Sequence, residues 1–121
     1  MIMLTKTNEL TDAPLDWAVA KCLTLTGAAR GVELRDGVPM VLDGCWAVAE
    51  FSYNWDQGGP IIEREGICLK KGHSGWWIAK LLDVNDEEHF VTVAPTPLVA
   101  AMRCYVMSKL GNEVDIPKEL L

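Results

Sequence analysis

The sequence predicts an α+β fold: a small antiparallel sheet flanked by an N-terminal and a C-terminal helix, in one domain spanning residues 1–121. Three observations carry that expectation. Apolar residues at helical spacing occur in two stretches, one near each end of the chain. Between them lie short runs separated by Asp-Gly and Gly-rich turns, a pattern of hairpins rather than of βαβ units. A chain of 121 residues that is 50% hydrophobic has material for one core without disulfides or metals.

Taken in order, Met3 to Thr7 reads as a first strand. Thr11 offers an N-cap hydroxyl, Asp12 places negative charge in the first turn, and Pro14 is tolerated there. Leu15, Ala18, Val19 and Cys22 then follow at helical spacing, so residues 12–24 read as a helix that Gly27 ends. Gly31 to Arg35 and Met40 to Leu42 flank Asp36-Gly37 and predict a hairpin. Asp43-Gly44 is a second turn, followed by a strand from Cys45 to Phe51. In the stretch NWDQGGPIIERE, Gly58 and Gly59 are free to take positive φ, and Pro60 fits the first position of a short helix closed by Gly66. Ile67 to Lys70 and Trp76 to Leu81 read as strands joined through residues 72–75. Asp83 to Glu88 reads as a polar turn and His89 to Val93 as a strand. Thr96-Pro97 opens a final helix over residues 97–110, which Gly111 closes. Leu98, Ala101, Met102, Tyr105 and Val106 form one face of it, widened by Val99 and Leu110. Arg103 lies at the edge of that face, where its stem can lie on the core and its guanidinium reach a cleft. Asp115, Pro117 and Lys118 read as a polar tail.

Composition narrows the function classes. A net charge of −6 and a pI near 4.8 argue against a DNA or RNA polymer as partner, because phosphate neutralisation needs a broad positive surface. A small anion needs only one or two cations and some backbone N–H groups. The four cysteines Cys22, Cys45, Cys68 and Cys104 contain no Cys-x-x-Cys pair, so the expectation is buried reduced thiols and no metal site. No apolar run reaches the ~20 residues of a membrane span and no signal peptide is evident, so a soluble cytoplasmic protein is expected. The five tryptophans exceed what a core this small requires, and adjacent Trp76 and Trp77 in a strand point to opposite faces.

No hydrolase, kinase, zinc-protease or dinucleotide motif is present. His73 and His89 stand in or beside turns. Glu63 and Glu65 diverge on a helix and make a poor acid–base pair, and Glu87-Glu88 reads as a solvated charge run. The stretch from Asn54 to Glu65 has two readings. As a binding loop, Trp55 offers a stacking face, Asp56 accepts ribose hydroxyls, the Gly58-Gly59 backbone approaches an anion, and Arg64 supplies a cation. As a structural element, it is a glycine turn with Trp55 as a core plug. Thr96 has the same duality, as an anion contact or as the cap of its own helix.

Three blocks, LTDAPLDWAVAKC, NWDQGGPIIEREGI and PLVAAMRCYVMSKLGNEVDIP, occur in the order and at the spacing that resembles the NinX-like family of small phage and prophage proteins. That resemblance implies a phage origin and by itself no activity. The NinX-like pattern is similar in turn to that of the anti-Thoeris phage sponges. These are small α+β proteins built from dimers that bind cyclic ADP-ribose isomers, and in some cases cyclic oligonucleotides, between subunits without cleaving them. The resemblance implies a counter-defence protein with a nucleotide-derived ligand, no cofactor, no catalytic residue and a homo-oligomeric state. Its expected ligand contacts are Asn54, Trp55, Asp56, Gly58, Gly59, Ile61, Arg64, Thr96 and Arg103. Two other functions compete with it. One is an accessory factor that docks on a protein through a Trp/Met patch; the other is a nucleotide hydrolase using Glu63, Asp56 or His89.

Overall fold

The computed structural model describes residues 1–82, 85 and 87–121. Its elements are β1 (Ile2–Lys6), α1 (Asp12–Leu25), β2 (Gly31–Arg35), β3 (Val38–Asp43), β4 (Cys45–Val48), α2 (Trp55–Glu65), β5 (Cys68–Lys71), β6 (Trp77–Leu82), β7 (Glu88–Ala94), α3 (Pro97–Leu110) and β8 (Glu113–Pro117). The α+β class is as expected, with the short helix expected from Pro60 lengthened to Trp55–Glu65 and with the strands divided among three small antiparallel sheets, β1-β8, β2-β3-β4 and β5-β6-β7. Of the polar turn expected at 83–88, Asp83, Val84 and Asp86 lie outside the described residues.

Local chemistry explains the elements that were legible. Asp36 and Gly37 both take positive φ, 54° and 76°, as the tight turn between right-twisted strands requires, and Arg35 pairs with Val38 across it. The Thr96 hydroxyl accepts from the Val99 N–H at 3.2 Å, Pro97 follows, and Gly111 closes α3. Gly27 at φ 82° ends α1, after which the Ala29 N–H returns to the Leu23 carbonyl at 2.9 Å. At the other end of α1, Thr11 holds the N-cap position but its side chain makes no capping bond.

Residues 113–117 are a strand and not a polar tail. Leu4 faces Asp115, and Met3 faces Ile116, so Val114 and Ile116 turn inward while Glu113 and Asp115 face solvent. The pairing joins the two ends of the chain, a contact that no local pattern announces. At β4 the strand stops at Val48, short of the expected Phe51, because residues 49–54 turn into α2.

The core surrounds α3. Leu98, Ala100, Ala101, Met102, Arg103, Cys104, Tyr105 and Val106 are all buried, so this helix is covered on every side and not along one face. It packs against β5, β6 and β7, and also against α1, α2 and β8. Ala100, Ala101 and Cys104 keep it slim enough for neighbours on opposite sides. Cys22 and Cys104 are buried, as expected of small apolar side chains; Cys45 and Cys68 are exposed, because they sit at the starts of the short strands β4 and β5.

The opening half of α2 departs most from expectation. Gly58 and Gly59 are helical, and Pro60 lies inside the helix instead of starting it. Tertiary packing overrides their low helix propensity. A Cβ on Gly58 would lie 2.5 Å from Leu98 Cδ1 and 2.8 Å from the Phe51 carbonyl oxygen, so only glycine lets α2 seat on α3 there. Gly59 faces away, and a Cβ would meet nothing nearer than Trp55 Cε3 at 3.9 Å.

Two adjacent substitutions therefore diverge. Gly58→Ala is expected to destabilise by about 1–3 kcal/mol through overpacking, whereas Gly59→Ala is expected to be neutral or to stabilise by up to about 1 kcal/mol. Urea denaturation of both variants checks this, and equal losses would show that Gly58 is not the contact point.

Candidate functional site

The chain between β4 and α2 is held by a compact polar network. Gln57 reaches back from α2: its Oε1 accepts from the Glu50 N–H at 2.6 Å and its Nε2 donates to the Val48 carbonyl at 2.9 Å. Asn54 is the N-cap of α2, its Oδ1 accepting from the Asp56 N–H at 2.9 Å. The Glu50 carboxylate accepts from the Tyr53 hydroxyl at 2.8 Å and from Asn54 Nδ2 at 3.3 Å. From α1, buried Asp16 accepts the Ser52 N–H at 2.7 Å. Burial pushes the Asp16 carboxyl up to about 6, and the Ser52 hydrogen bonds oppose that rise only in part.

These bonds orient α2 with two working faces. Gly58 and Ile61 turn into the core. Asp56, Gln57, Pro60, Ile61 and Arg64, at helical spacing, line a cleft of about 310 Å³. Its far wall comes from the β3–β4 turn and its surroundings, including Val41, Asp43, Cys45 and Ala47, with Phe51 nearby. The cleft joins an apolar wall to two carboxylates, a thiol and one guanidinium. It lies at the small end of the range for ligand pockets, about 300–1,000 Å³.

Of the contacts expected from the sequence, Asp56, Ile61 and Arg64 meet in this cleft. The others do not join them. Asn54 and Thr96 cap their own helices. The Gly58 N–H donates to the Asn54 carbonyl at 2.9 Å, and Gly59 and Ile61 lie past the first turn of α2, where N–H groups have partners within the helix. The backbone cradle expected for an anion is therefore replaced by ordinary helix. Trp55 is 51% exposed, so it neither plugs the core nor lines the cleft. Arg103 does not present its guanidinium to a cleft: it is 9% exposed, with Nε donating to the Leu10 carbonyl at 2.7 Å and Nη1 to the Val93 carbonyl at 2.9 Å.

Sequence reasoning passed over Asp43, Cys45 and Gln57. In the sequence Asp43 is only a turn former and Gln57 carries no motif; they come together with Cys45 only in the folded chain. Among the described residues, no group of three or more His, Cys, Asp or Glu is placed to hold a metal ion, and no helix is long and apolar enough to cross a membrane.

Against models of known protein families, residues 6–109 match the one described as bacteriophage P22, NinX. The chain belongs to the phage NinX family. The match spans α1, the α2 stretch and nearly all of α3, so the elements that build and floor the cleft are those of the NinX family. No curated protein matches the chain.

The Asp16 environment generates a pH prediction. Its folded pKa is raised, so the folded protein holds the proton more tightly than the unfolded chain. The resulting stability is fullest below the ordinary value of 3.8, falls as pH rises through the interval up to about 6, and is gone above it. Asp16→Asn keeps an oxygen for the Ser52 N–H and removes the titration. Its stability relative to the parent is expected to rise over that interval by up to about 3 kcal/mol. Thermal melts of both proteins as a function of pH check this; parallel profiles would show that Asp16 titrates normally.

Proposed function

We propose that this NinX-family chain is a phage counter-defence protein that binds and sequesters a small nucleotide-derived signal without cleaving it. The observation that carries the reading is the convergence of Asp56 and Arg64 from one face of α2 on an apolar cleft of ligand size. The chemistry of its walls suits a nucleotide in parts. Val41, Phe51 and Ile61 offer apolar surface to a base. Asp43 and Asp56 accept from ribose hydroxyls or from an exocyclic amine. Arg64, whose side chain is 48% exposed, supplies the guanidinium for a phosphoryl group at the cleft's edge. Gln57 spends both ends of its amide on the β4 chain and serves as a fixed wall.

Size supports assembly as part of the proposal. A cleft of about 310 Å³ accommodates roughly a nucleoside and its phosphate. A cyclic ADP-ribose isomer or cyclic oligonucleotide would extend beyond it, and a second copy of the chain would bury the remainder. Trp55 and its neighbour Tyr53, exposed and close to the cleft in sequence, are then available for contacts between subunits. The same exposed aromatic pair favours a second reading, an accessory factor that docks on a protein and has no nucleotide ligand.

A thermal-shift panel of ADP-ribose, cyclic ADP-ribose isomers, cyclic di- and trinucleotides, NAD and ATP tests the proposal. A true ligand at 100 times its Kd adds about 2.7 kcal/mol, which for a domain of this size raises Tm by several degrees. The expected result is a shift with a cyclic nucleotide that Arg64→Ala abolishes and Trp55→Ala weakens, with the ligand recovered intact after denaturation. No shift across the panel would move the assignment to the protein-docking reading, and a cleaved ligand would make the protein an enzyme.

A further inference from the structure

Arg64 stands between two clefts. It and Ala28 line both the first cleft and a second one, of about 290 Å³, bounded also by Thr26, Glu65, Tyr105 and Lys109. Glu65 accepts from Arg64 Nε at 3.1 Å and from Lys109 Nζ at 3.1 Å. Burial pushes its carboxyl up, but the bonds from Arg64 and Lys109 outweigh that and hold it below the usual carboxylate range. One carboxylate thus serves two cations.

The C-terminal ends of α1, α2 and α3 meet here, and their partial negative charge accounts for the presence of the cations. It does not account for Tyr105. This side chain is fully buried, yet its hydroxyl has no hydrogen-bond partner among the described residues. The nearby Thr26 hydroxyl donates to the Leu23 carbonyl at 3.3 Å. Burial raises the phenol's pKa and the neighbouring Thr26 hydroxyl offsets that rise in part; the neutral phenol is a donor with no acceptor in hydrogen-bond geometry among the described residues. A buried hydroxyl is costly to leave unpaired unless something else supplies the acceptor.

We propose that the second cleft is a phosphoryl subsite, in which Arg64, Lys109 and the Tyr105 hydroxyl donate to the oxygens of a phosphate or pyrophosphate group. It rests on the nucleotide reading above for the occupant of the first cleft, and it narrows that occupant's class. The ligand carries its phosphoryl group past Arg64, so a nucleoside diphosphate or a pyrophosphate-containing cyclic nucleotide fits, and a free nucleoside or base does not. The acidic first cleft receives the uncharged sugar and base, and the cationic second cleft receives the anion.

The test is titration of the full chain with inorganic pyrophosphate, ADP-ribose and adenosine, followed by backbone-amide NMR and calorimetry, in the parent, Lys109→Gln and Tyr105→Phe proteins. Pyrophosphate and ADP-ribose are expected to shift the amides of residues 26–28 and 64–65, and each substitution to weaken both by about tenfold or more. Adenosine is expected to leave the amides of Thr26, Gly27 and Glu65, which line only the second cleft, unmoved. Tyr105→Phe keeps the ring in the core, so the ligand-free Tm is expected to hold or rise. A fall in that Tm would show an internal partner for the hydroxyl and overturn the subsite. Nucleotide binding that is indifferent to both substitutions would also overturn it, while leaving the sequestering function standing. Pyrophosphate bound through Lys109 and Tyr105, with no nucleotide binding, would sustain the subsite and overturn that function. Binding of neither would overturn both.

Discussion

Most of this fold is arranged around a helix whose middle, from Ala100 to Val106, is buried throughout. Because α3 is covered on all sides, each neighbouring element must find its place on it, and each placement tolerates little variation. Arg103 is the polar exception within that helix and also a tie. It holds the segment before α1 through the Leu10 carbonyl and the end of β7 through the Val93 carbonyl. Those two carbonyls come from parts of the chain some eighty residues apart, and both would be left without this donor if the guanidinium were removed. The Thr92 hydroxyl adds a third link nearby, donating to the Ala100 carbonyl at 2.7 Å. The helix is thus locked in rotation and in height before any functional surface is considered.

That lock transmits to α2 through Gly58. Close approach at Leu98 fixes how deep α2 sits, while Asn54, Gln57 and Asp16 fix where its N-terminus begins. The same short stretch therefore packs on the core and lines the cleft. Gly58 and Ile61 pack on the core, and the neighbouring side, which shares Ile61 and Gln57 with the structural set, lines the cleft. Precision at the cleft follows from packing at its back, which suits a binding surface better than a free loop would, since less ordering remains to be done when a ligand arrives.

What was legible in the sequence is what is decided locally. The caps and breakers of α3, the Asp36-Gly37 turn and the span of α1 each depend on neighbours within a few residues, and they were read almost to the residue. The strand β8 was missed although Glu113 to Ile116 alternates, because its partner β1 lies at the opposite end of the chain. The helical state of Gly58, Gly59 and Pro60 ran against intrinsic propensity, and only the floor provided by α3 reverses it. The site suffered the same division. Asp56, Ile61 and Arg64 were found because one helix carries them; Asp43, Cys45, Tyr105 and Lys109 come from three other elements and meet only in the folded chain.

The two arginines singled out in the sequence show why residue type alone does not assign a role. Arg103 lies between apolar neighbours and Arg64 between two glutamates, and both could in principle clamp a phosphate. Arg103 has its guanidinium spent on backbone carbonyls, and burial lowers its pKa, although arginine begins so far above neutrality that it stays charged. Moving it toward an anion would strand those carbonyls, so a ligand would have to repay the loss of two internal bonds. Arg64 has one bond, from Nε to an adjacent glutamate that Lys109 also serves, and its terminal nitrogens have no partner among the described residues. An incoming phosphoryl group meets it without dismantling anything in the core. In a chain with a net charge of −6, that light commitment is what leaves Arg64 free to serve the proposed anion contact.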